Sequence, residues 1–221
     1  MRKDYFYRYM WFFIGVIINS FGVAFITKAA LGTSPISSIP YVLSEGIPSL
    51  SFGATTFIFN MLLIIFQIIY LGKDYKKIQL LQIVVNMVFS VFIDISMSAL
   101  FWLEPSGIVE KIISLAVGCA ILGFGISIEV APGALMVPGE GVVSALASKS
   151  KMKFGTIKIM FDVTLMVIAG ILSLIMIHGI DRLGLGTIIS ALIVGKFVNI
   201  FNKYIPLISK ISKLKPQKNA A

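Results

Sequence analysis

Ala30-Leu31-Gly32-Thr33-Ser34-Pro35-Ile36-Ser37-Ser38-Ile39-Pro40 separates two strongly apolar stretches with glycine, proline and hydroxyl residues. A related break, Gly133-Ala134-Leu135-Met136-Val137-Pro138-Gly139-Glu140-Gly141, returns in the second half of the chain. Inside a bilayer, irregular backbone is tolerated only where protein or water satisfies its amides and carbonyls. Two such breaks at matching positions of a duplicated chain therefore point to a site between the halves.

The segments on either side of the breaks set the class. Of 221 residues, 57% are hydrophobic and 13% charged, against about 25% charged in a soluble domain. With a mean hydropathy of +0.96, the chain reads as an all-α polytopic membrane protein. Crossing the hydrocarbon takes about 20 apolar residues in a helix, which marks spans at 10–29, 51–71, 78–101, 109–130, 155–177 and 184–203. Residues 35–46 and 138–148 are too short to cross. Each opens on a proline at the first helical position, so both read as half-helices or re-entrant segments.

The two halves repeat. Phe21-Gly22 answers Phe124-Gly125 and Pro35 answers Pro138 at an offset of 103, while Phe52-Gly53 answers Phe154-Gly155 and Asn60 answers Asp162 at 102. The register then slips, and Asp94 falls near Asn199. Residues 1–104 form a first repeat with its broken segment at 30–46, and 105–204 a second with its break at 131–149. With three spans each, the repeats must enter the membrane from opposite sides, related by a pseudo-two-fold axis in its plane.

Formal charge is +9, but the basic residues sit in loops and tails rather than on one soluble face, which argues against a nucleic-acid partner. Arg2, Lys3, Arg8, Lys73, Lys76, Lys77, Lys149, Lys151, Lys153 and the tail lysines 203–218 share one side of the six-span arrangement. Only Lys28, Lys111 and Arg182 fall on the other. The positive-inside rule then places both termini in the cytoplasm, with 205–221 as a basic cytoplasmic tail. The N-terminal basic residues and apolar run imitate a signal peptide but lack a convincing cleavage site, so the run is read as the first span. Cys119 is the only cysteine and His178 the only histidine. No disulfide framework, metal site, cofactor or Ser-His-Asp triad is expected.

Ser34 before Pro35 is a favourable helix cap, and the amides beyond it make an anion-friendly spot. Thr33, Ser37 and Ser38 add hydroxyls, and together the four read as substrate-binding residues or, alternatively, as groups that cap and pack the hairpin. Glu140 replaces Ser37 in the second break, where it serves either as a cap or as a carboxylate facing a cation, proton or cationic substrate group. Asp162 and Asp94 lie within spans and correspond to the amides Asn60 and Asn199, so each half offers one carboxylate and one amide. Lys158 stands one turn before Asp162 and can pair with it. Glu129 and Lys28 end their spans and read as snorkelling groups. Gly15, Gly22, Gly118, Gly123 and Gly125 read as close-packing positions.

Leu-Gly-Thr-Ser-Pro at 31–35, Phe52-Gly53, Gly184-Leu185-Gly186-Thr187 and Gly195 resemble the bacterial YczE/YyaS/YitT group of integral membrane proteins, over nearly the whole chain from Arg8 to Asn199. The resemblance implies a multi-pass protein of the bacterial inner membrane, without a settled substrate. Where that group often shows a different polar residue after its second proline, this chain has Glu140. The leading functional reading is a secondary transporter of a small polar or charged solute, coupled to protons or Na⁺ through Glu140, Asp162 or Asp94. A substrate-capturing membrane subunit of an importer and a non-transporting scaffold are the alternatives. No nucleophile-and-base or metal-ligand spacing supports an enzyme.

Overall fold

The computed structural model describes residues 2–150, 152–179 and 184–214. Lys151, Arg182, Lys215 and Lys218, used above in the charge distribution, lie outside the described residues. The protein is helical, with α1 (Arg2–Lys28), α2 (Ser38–Gly46), α3 (Phe52–Leu71), α4 (Gln82–Ala99), α5 (Ile108–Val130), α6 (Pro138–Ser150), α7 (Phe154–Met176), α8 (Leu185–Tyr204) and α9 (Pro206–Ser212). Six of these, α1, α3, α4, α5, α7 and α8, are long and apolar enough to cross a membrane. The short α2 and α6 follow the breaks, and a 3₁₀ turn at Pro35–Ser37 leads into α2.

Proline placement explains why α2 and α6 start where they do. Pro35 opens the 3₁₀ turn and Pro138 opens α6, positions at which a missing amide proton costs nothing. Ahead of each, the chain reverses through left-handed backbone. Ala30 (φ 56°) and Gly32 (φ 139°) do this in the first break, and Gly133 (φ 56°) in the second.

The centre of the bundle is the α1–α5 pair, held together by four glycines. A Cβ added at Gly22 would lie 2.6 Å from the Leu122 Cα, and one at Gly125 2.6 Å from the Asn19 amide nitrogen. One at Gly15 would lie 2.5 Å from the Glu129 Cα, and one at Gly118 2.9 Å from the Ile26 nitrogen. Small residues at such seams let helix backbones approach closely where lipid supplies no hydrophobic drive. In every pair the two residue numbers sum to 144, so the helices run antiparallel. The contacts are also reciprocal at an offset of 103: Gly15 answers Gly118 and Glu129 answers Ile26, while Gly22 answers Gly125 and Leu122 answers Asn19. Equivalent helices that cross antiparallel through equivalent residues are what a two-fold axis perpendicular to them would give, and such an axis lies in the membrane plane. The remaining packing is consistent with this: α1 packs on α4 as α5 packs on α8, α2 on α7 as α6 on α3, and α2 on α3 as α6 on α7.

One pairing has no mate. α3 packs along α4, whereas among the described residues α7 and α8 make at most slight contact. Cys119 is a fully buried core residue beside Val23, Ile26 and Leu122. In the tail, α9 buries Ile208 and Ile211 against Ile128 and Ala131.

Candidate functional site

The first break is tied to α8. Gly186 N donates to Leu31 O at 2.9 Å, Thr33 N to Thr187 Oγ1 at 3.1 Å, and Ser190 Oγ to Thr33 O at 3.0 Å. A Cβ at Gly186 would run into the Leu31 backbone, so glycine is what permits this approach. Thr33 also shares a 2.7 Å hydrogen bond with Thr27. Ser34 occupies the cap position, yet its hydroxyl donates to Ser37 Oγ at 2.8 Å rather than accepting from an amide. Ser38 Oγ donates to Pro35 O at 2.6 Å. All four hydroxyl residues are buried, and each satisfies a neighbour within the break or on α1.

The second break is tied to α1, α3 and α4. Arg8, itself buried, donates from Nε to Pro132 O at 3.2 Å and from Nη2 to Gly133 O at 2.8 Å. Gln67 on α3 donates to Pro138 O at 3.0 Å and exchanges amide contacts with Gln82 on α4. Both glutamines are fully buried. Gly141 leaves room for them, since a Cβ there would overlap the Gln67 side chain.

The two breaks meet. Ile36 fills the place where Gly139 would carry a Cβ. Around that contact Ile39, Val42, Phe59, Leu63, Val142 and Leu165 form an apolar cluster joining α2, α3, α6 and α7.

Acidic groups gather on the second-break side. Lys158 donates to Asp162 Oδ1 at 2.5 Å across one turn of α7, the pair expected from their spacing. Glu140, half-buried in the first turn of α6, lies within electrostatic range of both. Glu129 in turn feels Glu140. Glu129 does not snorkel: it is 3% exposed and accepts from Asn19 Nδ2 at 2.7 Å across the α1–α5 seam. It sits level with Gly15, seven residues above Arg8, and so about 10 Å into the bundle at 1.5 Å per residue. Sequence position alone hid this, because α5 stops short and the break carries the chain on toward the α1 terminus.

Asp94 and Asn60 are elsewhere. Asp94 caps α3, accepting from Gly53 N at 2.7 Å and Ser51 Oγ at 2.6 Å. Asn60 donates to Asn86 Oδ1 at 2.9 Å. With Gln67–Gln82 these make three polar clasps between α3 and α4, at Gly53, Asn60 and Gln67, seven residues apart. The structure therefore brings Glu140 and Asp162 together, keeps Thr33, Ser34, Ser37 and Ser38 in the facing break, and puts Asp94 and Asn60 in the α3–α4 seam. At the Lys28 end, a pocket of about 320 Å³ is lined by Thr27, Lys28, Tyr41, Glu45, Met97 and Glu104. Thr27 links it to Thr33. Among the described residues no group of acids, histidines and cysteines is arranged to hold a metal.

The sequence pattern of a family of unknown function, DUF6198, matches residues 6–203. The chain belongs to this family. It is 25% identical over 196 residues to the uncharacterized membrane protein YczE of Bacillus subtilis, covering 88% of this chain and 85% of that one. It is 24% identical over 195 residues to the uncharacterized protein YyaS of the same organism, covering 88% and 92%. No solved structure matches the chain. DUF6198 is thus a YczE/YyaS-like family, and this member is a multi-pass membrane protein.

Proposed function

We propose that this DUF6198 protein is a secondary transporter of a small polar or charged solute in the bacterial plasma membrane, with both termini in the cytoplasm. The observation that carries this reading is the meeting of the two breaks at Ile36 and Gly139, beside the embedded carboxylates Glu140 and Asp162. Intramembrane ionisable groups are costly, and they collect where ions or solutes pass. In this reading the pocket at the Lys28 end is the outer approach to Thr27 and Thr33. Glu140 and Asp162 bind a proton, Na⁺ or a cationic group, and the hydroxyls of the first break receive the solute when Ile36 withdraws from Gly139. The role is one of binding and translocation, with no covalent chemistry.

The apolar filling between the breaks also suits a non-transporting scaffold. Flux in proteoliposomes decides between them, using a broad solute panel with and without pH and Na⁺ gradients. The transporter reading expects uptake of at least one solute class, reduced tenfold or more by Glu140→Gln or Asp162→Asn. No flux for any solute in the panel overturns it in favour of the scaffold. Flux that ignores both substitutions removes the carboxylates from coupling.

A further inference from the structure

The α3–α4 and α7–α8 pairs should be twins, yet one is clasped and the other parted. On α4 the flank 82, 86, 90, 94 grips α3: Gln82 meets Gln67, Asn86 meets Asn60, and Asp94 meets Gly53. A Cβ at Gly53 would collide with Ser90 O and lie 2.6 Å from the Asp94 carboxyl. Shifted by the 105 residues that relate Asp94 to Asn199, the same flank on α8 reads Thr187, Ala191, Gly195, Asn199. Its last three residues are exposed. Gly155, the twin of Gly53, is exposed too, and among the described residues no packed neighbour comes within 4 Å of where a Cβ at Gly155 or Gly195 would be. Asp162, the twin of Asn60, pairs with Lys158 of its own helix rather than with α8 among the described residues.

Repeats of one sequence pattern can each take the other's conformation at similar energy, so an asymmetry between them marks one of two related states. The geometry points to α7 and α8 as a gate, open here, which closes when Asn199 caps the N-terminus of α7 at Gly155 as Asp94 caps α3 at Gly53, while the α3–α4 clasps release. Helix ends need such caps: the first amides of α7 have no intrahelical acceptors, and Lys153 at the cap position supplies no side-chain one. Lys196, exposed one turn before Asn199 toward the N-terminus of α8, is carried toward Asp162 by the same movement. This gate supplies the moving part of the proposed transporter and rests on that reading for its purpose.

Its test traps the closed state instead of measuring flux. Cys119 is the only cysteine, so Cys119→Ala gives a cysteine-free background for Gly155→Cys with Asn199→Cys. Both sites are exposed and tolerate the change, which a monodisperse elution profile verifies. In proteoliposomes under copper-phenanthroline oxidation, the pair forms a disulfide within one molecule. Its yield is at least tenfold that of Gly155→Cys with Leu192→Cys, which lies seven residues, about 10 Å, further along α8. Once the disulfide has formed, amide exchange at 52–57 and 86–94 accelerates relative to the reduced protein. Absence of the disulfide overturns the gate, as does a disulfide joining two molecules, or a closed form whose α3–α4 exchange is unchanged. Flux without the disulfide sinks the gate alone, whereas the disulfide without flux sinks the transport reading and leaves the gate standing.

Discussion

Asn19 donates to Glu129 at 2.7 Å across the α1–α5 seam, and the positions equivalent to them, Leu122 and Ile26, are apolar. The same close crossing is therefore built once with a polar pair and once without. Removing one partner of a buried pair leaves the other unsatisfied, at a cost of about 1–3 kcal/mol. Asn19→Leu should lower stability by that amount in SDS-unfolding titrations. Replacing both residues by their twins, Asn19→Leu with Glu129→Ile, should recover most of the loss, because swapping a buried polar pair for packed apolar groups is often neutral or better. A double variant as unstable as Asn19→Leu alone would show that the two ends of the seam are not interchangeable.

Asp94 accepts from two groups at the start of α3, and neither belongs to a break. Its loss should act through the helix cap. Asp94→Ala is expected to cost about 0.5–2 kcal/mol, the range for cap removal. Amide exchange should accelerate at 52–56 without spreading to α6. Asp94→Asn, which keeps one acceptor, should lose less than half as much. A flux defect in Asp94→Asn with unchanged exchange would instead put the carboxylate in coupling.

Much of this fold could be read from the chain because its signals are local. Runs of about 20 apolar residues give the spans, and Pro35 and Pro138 mark the breaks by their effect on their own backbone. An offset of 103 separates Phe21-Gly22 from Phe124-Gly125, and α1 and α5 meet through residues at that same offset. What stayed hidden depends on tertiary pairing. Glu129 looked like a surface terminus, and only the antiparallel crossing puts it beside Gly15 and Asn19. Asp94 looked like a site residue because a carboxylate within a span draws suspicion, whereas the α3 start that it caps is set by how α4 packs. Ser34 had the chemistry of a cap, but Ser37 was the nearer partner. The Lys158–Asp162 pair was legible because four residues make one turn.

The glycine seam offers a contrast between positions that look alike in sequence. At Gly22 a Cβ meets the Leu122 backbone, which cannot rotate away, so Gly22→Ala must push α1 from α5. Overpacking of this kind costs about 1–3 kcal/mol, read as a lower SDS midpoint. Gly170 on α7 has no packed neighbour within 4 Å of its Cβ site among the described residues. Gly170→Ala should be neutral or stabilise by up to about 1 kcal/mol through helix propensity alone. Equal effects at the two sites would contradict the seam.

Gln67 ties the α6 end of the second break to α3 and α4, since it donates to Pro138 O while paired with Gln82. Gln67→Leu keeps the volume but strands the Pro138 carbonyl and the Gln82 amide in a region closed to water. Two unsatisfied groups at about 1–3 kcal/mol each set the upper range of the loss, although measured interhelical hydrogen bonds in membranes average nearer about 0.6 kcal/mol. The expected result is a drop of about 1–3 kcal/mol in unfolding free energy, with faster amide exchange at 138–142. Gly141→Ala should give the same local signature from the other side, because its methyl displaces the Gln67 amide from the carbonyl. If Gln67→Leu left exchange at 138–142 unchanged, Arg8 on the Pro132 and Gly133 carbonyls would be the contact holding the break in place.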